Sequence, residues 1–294
     1  MQKPIPLPAV KEVLETLAAI RAPESDHEAQ PYTLPDEQLQ HAIESHEFIN
    51  YYQPQISLTT GRVTGVEALA RWVHPQHGPI LPEHFLQRIE VLGLMDALCW
   101  DLVRSSFAEW ASACNSIGEN LRLSLNANIR TLHNLEFPDR LLSLAHEYSL
   151  TVGQIAVEVT ESGLAHEPSR ALDVLTRLRM KGFQLSIDDF GAGYATMRQV
   201  QNVPATELKI DRGIVEKMHV NLSDRVMVEK IIEMGHELGM SVIAEGVATR
   251  QQLDLLRHGS CDQVQGFLFS RPLPAEEFAI WLHAHDPVAA LSHA

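Results

Sequence analysis

The chain has few cysteines and no long apolar run. Three cysteines, Cys99, Cys114 and Cys261, occur in 294 residues without any C-x-x-C spacing, which argues against a disulfide framework and a zinc knuckle. No apolar run approaches the roughly 20 residues of a membrane helix. The start, MQKPIPLPAVKE, lacks the apolar core of a secretion signal. We therefore expect no membrane segment and a cytoplasmic location.

Basic residues are also scarce. There are 23 Lys and Arg against 38 Asp and Glu, and the formal net charge is −15. A general nucleic-acid binder neutralises phosphates with Lys and Arg, so this balance argues against one. If the ligand is a phosphate ester, cations bound to the protein must mediate its binding, because the protein itself is strongly negative. The 15 histidines are scattered without zinc-like clustering, and the 45% hydrophobic content is enough for a substantial core.

The chain divides into three parts. Residues 1–34 are punctuated by proline and predict an extension or linker with a short helix near 10–20. Residues 35–286 form the main domain, and 287–294 are a tail. Within the domain, apolar runs alternate with helical patterns. The predicted strands are 48–56, 63–71, 121–127, 155–159, 183–188, 206–210, 241–245 and 263–267. The predicted helices are 82–92, 95–116, 138–149, 167–181, 195–202, 222–239, 249–258 and 275–285.

Eight strands with alternating helices over about 250 residues predict a (β/α)8 barrel of triosephosphate-isomerase type. The link between the first two strands, 57–62, is too short for a helical crossover and reads as a hairpin. We therefore expect one strand to run antiparallel to its neighbours.

The segment 183–194, FQLSIDDFGAGY, ends an apolar strand with two acids and a glycine-rich turn. Asp188 and Asp189 could cap a helix or a turn, or they could bind a cation. A protein kinase is discarded, because its other motifs are missing. Both acids can serve one site only if the chain bends after Asp188, which Gly191 and Gly193 permit.

Polar residues recur at the strand ends of the predicted barrel. Glu67 lies in mid-strand, where burying an unpaired carboxylate is costly and calls for a cation. Each such residue alone could be a cap, but strand ends of a barrel surround one pocket. Carboxylate and amide oxygens suit Mg²⁺ or Mn²⁺. Two such ions would suit phosphodiester hydrolysis, because they can activate water and stabilise the attacking and leaving oxygens of an in-line displacement at phosphorus. The other polar residues at strand ends are Asn126, Glu158, Asp188, Lys209, Glu245 and Gln265.

An ordered series of motifs runs from about 38 to 282. It comprises YYQP at 51–54, GVEALARW at 65–72, FLQRIEVLGL at 85–94, VEVTES at 157–162, DDFGAGY at 188–194, LKIDR at 208–212, AEGV at 244–247 and QGFLFSRPLP at 265–274. In this series the chain resembles the EAL-domain cyclic di-GMP phosphodiesterases. The resemblance implies hydrolysis of cyclic di-GMP to linear pGpG with Mg²⁺ or Mn²⁺, in a barrel with one reversed strand, and it makes a homodimer plausible.

The resemblance also implies residue roles. Glu67, Asn126, Glu158 and Asp188 would bind one metal, and Asp188, Asp189 and Glu245 the second. Lys209 would contact the nucleophilic water, and Gln265 would complete the site. Glu161 would hold the loop after Asp188. Substrate contacts would come from Gln53, Arg71 and Asp211.

Simpler roles stay open for the outer residues. Arg71 could pair with an acid, Asp211 could cap the following helix, and Glu161 could be a turn residue. Phe267 and Phe269 could stack on guanine, but core packing is the favoured interpretation.

The chain departs from the family pattern at a few positions. Ala248 replaces a common glutamate, and Ala127-Asn128 follows Asn126 where Leu-Ser is commoner. Ala192 and Ala195 are unusual in the loop after the acidic pair. These changes could weaken activity or loop coupling. The alternative functions are a silent cyclic di-GMP receptor that regulates a partner protein, and a metal phosphodiesterase for another substrate.

Overall fold

The computed structural model describes residues 35–117, 121–165, 168–193 and 197–292. The strands are β1 (Phe48–Ser57), β2 (Val63–His74), β3 (Gly78–Ile80), β4 (Arg122–Ala127), β5 (Ile155–Thr160), β6 (Gln184–Phe190), β7 (Glu207–Ile210), β8 (Ser241–Ala244), β9 (Gln263–Val264) and β10 (Leu273–Pro274). The predicted helix at 10–20 and the unusual Ala195 lie outside the described residues.

Helices follow the strands around the domain. They are α1 (Asp36–Glu44), α2 (Leu86–Val91), α3 (Met95–Ile117), α4 (Ile129–Leu132), α5 (Phe137–Glu147), α6 (Glu161–Ala165), α7 (Pro168–Met180), α8 (Met197–Asn202), α9 (Arg212–Val215), α10 (Leu222–Glu237), α11 (Arg250–His258), α12 (Ala275–Ala284) and α13 (Pro287–Leu291). Among these described helices, none is both long and apolar enough to cross a membrane.

Eight strands close into a barrel in the order β1, β9, β8, β7, β6, β5, β4 and β2, with β2 pairing back to β1. Strand β1 runs antiparallel to both β2 and β9, and the remaining barrel neighbours are parallel. The prediction of a TIM-like barrel with one antiparallel strand is confirmed. The hairpin between β1 and β2 turns at Gly61, where φ is +70°, a region that glycine adopts without strain.

The last barrel strand is shorter than predicted. The sequence indicates 263–267, but β9 ends at Val264. The chain then turns against the backbone of Val247, whose N–H donates to the Gln265 carbonyl at 3.1 Å and whose carbonyl accepts from Leu268 N at 3.0 Å. The bonds to the loop after β8 take the place of further strand pairing beyond Val264. Gln265 therefore lies in a turn and not in a strand.

The space for this turn depends on Gly266. A Cβ atom at this position would lie 2.2 Å from the Val247 carbonyl oxygen and 2.4 Å from its nitrogen. Because both neighbours are backbone atoms, we expect Gly266→Ala to lower the free energy of unfolding by about 2 kcal/mol or more, measured by urea denaturation. Gly153→Ala is the control, because open space surrounds Gly153. An equal loss in the two variants would contradict this reading.

The start of α11 shows how local sequence positions the rim of the barrel. The Thr249 hydroxyl accepts from Gln252 N at 3.2 Å, and the Gln252 side chain accepts from Thr249 N at 2.9 Å, which forms a capping box. The buried Gln252 amide also donates to the Val215 and Glu216 carbonyls. The loop after β8 is thereby joined to the segment after β7.

The C-terminal segment forms helix α13. Arg250 donates to the Ala290 carbonyl at 2.7 Å, and Arg257 donates to the Leu291 carbonyl at 3.0 Å. Both arginines belong to α11, so the described part of this segment is bound to the barrel's outer layer. The domain division at residues 34 and 286 stays a prediction.

Candidate active site

The polar residues predicted at the strand ends meet at the carboxyl-terminal mouth of the barrel. They lie at or beside a cavity of about 540 Å³. The cavity is lined by Gln53, Glu67, Asn126, Asp188, Asp189, Glu245 and Gln265, among others. Parallel strands bring their carboxyl ends to one rim, which explains why residues distant in sequence converge.

Five carboxylates form two overlapping groups. Ligand oxygens of Glu67, Glu158 and Asp188 lie within 4.8 Å of one another, and so do those of Asp188, Asp189 and Glu245. Asp188 belongs to both groups. The two metal sets that the family resemblance implies have the same membership, apart from Asn126, which contributes an amide.

Lys209 lies at the centre of these carboxylates and its side chain is 0% exposed. Its ammonium nitrogen is 2.6 Å from Glu245 Oε1, 2.7 Å from Glu158 Oε2, 3.1 Å from Glu67 Oε2 and 3.2 Å from Asp188 Oδ1. The ammonium thus contacts four of the five carboxylates, and the cluster has a net charge of −4 when all five are ionised. Two divalent cations would supply the four positive charges that are missing.

The pKa values reflect this crowding. Burial raises the pKa of Glu158, Asp188 and Glu245 above the ordinary range, and neighbouring carboxylates add to the rise. Burial also acts against the charge of Glu67, but Lys209 and hydrogen bonds from neighbouring amides bring its pKa below the usual value. Burial lowers the pKa of Lys209, yet the surrounding carboxylates raise it well above the ordinary value. The site is strongly biased towards binding cations.

Asp189 reaches the site by a backbone bend at its own position. The sequence predicts a bend after Asp188 that Gly191 and Gly193 permit. These glycines have φ values of +104° and +102°, and Asp189 itself has φ +53°. The pairing of β6 with β7 shifts register between Ile187 and Phe190. The extra residue in this bulge turns Asp189 towards the same cavity as Asp188. Burial, followed by the charges of Asp188 and Asp211, raises the pKa of Asp189 to about 6.

The Glu67 carboxylate is held on both oxygens. Asn126 Nδ2 donates to Oε1 at 2.9 Å, and Gln265 Nε2 donates to Oε2 at 2.6 Å. Gln265 Nε2 also donates to Gln53 Oε1 at 3.0 Å, and Gln53 Nε2 donates to the Ser270 carbonyl at 3.1 Å. The mid-strand glutamate is therefore held by two amide side chains in addition to Lys209, and a third amide, Gln53, holds Gln265.

Glu161, predicted to hold the loop after Asp188, is buried at the start of α6. Its Oε2 atom accepts a hydrogen bond from Gly191 N at 3.1 Å. The contact joins β5 to the turn that follows the acidic pair.

The predicted substrate contacts differ in position. Gln53 lines the cavity, whereas Arg71 lies outside the lining, donates to the Ala70 carbonyl at 2.8 Å and lies over the Tyr51 ring. Asp211 accepts from Gly213 N at 3.0 Å and caps α9, which is the simpler role left open for it. Neither contact excludes a ligand, so both assignments stay predictions.

The cavity wall also contains residues outside the predicted set of metal and substrate contacts. Phe267 is 47% exposed and lines the cavity, so the favoured expectation of core packing is wrong for it. The Arg271 guanidinium lies 4.4 Å from the centre of its ring. Arg212 and Glu216, which form an ion pair, line the same wall, as does Ala248. Their position depends on loop geometry rather than on strand alternation.

The donor set fits divalent metal ions. Glu158 Oε1 is buried and has no hydrogen-bond partner among the described residues, so it is available as a ligand atom. Oxygen donors without sulfur suit hard cations. The acidic cluster can therefore hold a metal.

The family model of the EAL domain matches residues 36–272. The chain therefore belongs to the EAL-domain family. It is 34% identical over 236 residues to the cyclic di-GMP phosphodiesterase RocR of Pseudomonas aeruginosa, covering 80% of this chain and 60% of RocR. It is 34% identical over 256 residues to the oxygen sensor protein DosP of Escherichia coli, covering 85% of this chain and 31% of DosP.

A solved structure of the PaMucR phosphodiesterase in complex with c-di-GMP superimposes with a TM-score of 0.78 and 32% sequence identity. The match covers 82% of this chain and 98% of that one. The full-length relatives RocR and DosP are longer, since the chain spans 60% of one and 31% of the other.

Proposed function

We propose that the protein is a metal-dependent phosphodiesterase that hydrolyses cyclic di-GMP to linear 5′-pGpG. The observation that carries the proposal is the pair of carboxylate groups that share Asp188 in a cavity at the barrel mouth. Relatives in the same family are named cyclic di-GMP phosphodiesterases, which supports this substrate.

Glu67, Asn126, Glu158 and Asp188 would hold one ion, and Asp188, Asp189 and Glu245 the other. Two divalent cations, Mg²⁺ or Mn²⁺, would activate water and stabilise the oxygens of an in-line displacement at phosphorus. Lys209 would orient the nucleophilic water with its ammonium protons. Gln265 would keep the Glu67 carboxylate in its ligating orientation.

Substrate binding is assigned to the cavity around these ligands. Gln53 and Gln265 would contact the substrate from the barrel interior, and Asp211 from the rim. Arg71 would contact a phosphate oxygen after its guanidinium leaves the Ala70 carbonyl. Glu161 would stabilise the turn that carries Asp189 through its bond to Gly191 N.

The resemblance to the family extends the proposal to a homodimer acting in the bacterial cytoplasm. Regulation by a further protein is part of the same proposal.

The test is to incubate the purified protein with cyclic di-GMP and Mg²⁺ or Mn²⁺ and to separate the products by chromatography. We expect pGpG to form with either ion and to disappear with EDTA. Cyclic di-AMP is the matched control for the base and should not be cleaved. Tight binding of cyclic di-GMP without pGpG would replace the enzyme with a receptor, and faster cleavage of cyclic di-AMP would assign another substrate.

A further inference from the structure

A row of polar side chains crosses the barrel interior below the carboxylates. Gln55 is 0% exposed, and its Nε2 atom donates to Gln265 Oε1 at 3.2 Å. Arg122 Nη2 donates to Gln55 Oε1 at 2.8 Å. The same Nη2 atom lies 2.5 Å from Oε2 of the buried Glu207. We call this row the barrel-floor relay: Glu207, Arg122, Gln55 and Gln265.

The relay has a fixed direction because arginine only donates hydrogen bonds. Arg122 therefore requires the carbonyl oxygen of Gln55 to face it, which turns the Gln55 NH₂ group towards Gln265. Gln265 must then present its own oxygen to Gln55 and its NH₂ group to the opposite side. On that side its two N–H groups reach Glu67 Oε2 at 2.6 Å and Gln53 Oε1 at 3.0 Å.

The strand register leaves room for the relay. Gln55 pairs with Gly65, and Gly65 pairs with Arg122 on its other side. A Cβ atom at Gly65 would lie 2.8 Å from Gln55 Oε1 and 3.0 Å from the Arg122 carbonyl oxygen. The glycine two residues before Glu67 thus admits the Gln55 amide beneath the carboxylate.

We propose that Arg122 and Gln55 are positioning residues that, through Gln265, hold the Glu67 carboxylate ready to bind a divalent cation. A reversed Gln265 amide would direct its oxygen at the Glu67 carboxylate, and the two acceptors would repel each other. The ion pair with Glu207 holds the Arg122 guanidinium in place, and this guanidinium sets the direction of the hydrogen bonds along the relay. The kinetic consequence rests on the proposed function, whereas the effect on metal binding does not.

The test compares four variants: Gln55→Met, Arg122→Met, Arg122→Lys and Gln263→Met. Mn²⁺ affinity is measured by calorimetry, and kcat and KM for cyclic di-GMP by chromatography. We expect Gln55→Met and Arg122→Met to weaken Mn²⁺ binding and lower kcat by about tenfold or more, as for other groups that orient metal ligands, with KM nearly unchanged. Arg122→Lys keeps a cation that only donates, so it should retain near wild-type values.

Gln263→Met is the matched control. Gln263 is a buried amide in β9, two residues before Gln265. Its side chain hydrogen-bonds Thr64 and Ser241 and makes no bond to the relay residues. It should leave Mn²⁺ affinity and kcat unchanged. If Gln55→Met and Gln263→Met bind Mn²⁺ equally well, the positioning role is overturned.

A second readout uses the metal-free protein. The side-chain NH₂ resonances of Gln265, assigned by their loss in Gln265→Leu, should be slow to exchange in the wild type and in Gln263→Met. They should shift and exchange faster in Gln55→Met. Unchanged resonances in Gln55→Met would also refute the relay. Because this measurement needs neither metal nor turnover, it decides the inference even if the protein fails to cleave cyclic di-GMP.

Discussion

Glu67→Gln is expected to reduce cyclic di-GMP turnover to less than about 1% of the wild-type rate. Residues that only orient metal ligands contribute about 10- to 100-fold, so loss of a ligand oxygen should cost more than that range. Glutamine keeps the shape of the side chain but removes the charge that faces Lys209 at 3.1 Å. Initial rates of pGpG formation at saturating Mn²⁺ measure the effect.

The fold of this variant should be preserved. The metal-free melting temperature should fall moderately, because the glutamine NH₂ group must face Asn126 Nδ2 or Gln265 Nε2, donors that both bond the Glu67 carboxylate, and circular dichroism should still show the native secondary structure. Glu109→Gln provides the matched control, since Glu109 is a partly buried glutamate that accepts a hydrogen bond from Tyr52 at 2.6 Å outside the cavity. A near-normal rate in Glu67→Gln, or an equal loss in Glu109→Gln, would remove Glu67 from the reaction.

The barrel and the carboxylate cluster could be predicted because each polar residue interrupts or ends an apolar run. Glu158 interrupts the run Ile155–Val159, and Asp188 follows Leu185 and Ile187, which are fully buried. Parallel strands convert that one-dimensional pattern into one rim. Conformation within a turn is less readable, because aspartate also tolerates the left-handed region. The sequence therefore predicts a bend after Asp188 without identifying Asp189 as a residue that adopts a positive φ.

The barrel-floor relay could not be predicted from single strands. Gln53 and Gln55 lie two residues apart and so point to one face, and Arg122 and Asn126 share a face of β4. Those alternations were visible in the sequence. Their contact depends on the register that places Gln55, Gly65 and Arg122 side by side, and register across three strands is set by the closed barrel.

Lys209→Met is expected to destabilise the metal-free protein by about 3 kcal/mol or more. The ammonium contacts four buried or partly buried carboxylates, and removing one partner of a buried ion pair leaves uncompensated charge. Urea denaturation in EDTA at pH 8 measures the loss. Lys230→Met is the control, because Lys230 is fully exposed beside Glu233 and should change stability little.

Two conditions should restore the Lys209→Met protein, and both follow from the excess negative charge. A divalent ion that binds only the folded state adds about 2.7 kcal/mol at a hundred times its dissociation constant, so Mn²⁺ should recover much of the loss. Lower pH should also help. The pKa values of Glu158, Asp188 and Glu245 are raised in the folded protein, so the folded state takes up protons first as the pH falls. A destabilisation independent of both Mn²⁺ and pH would show that Lys209 acts by packing and not by charge.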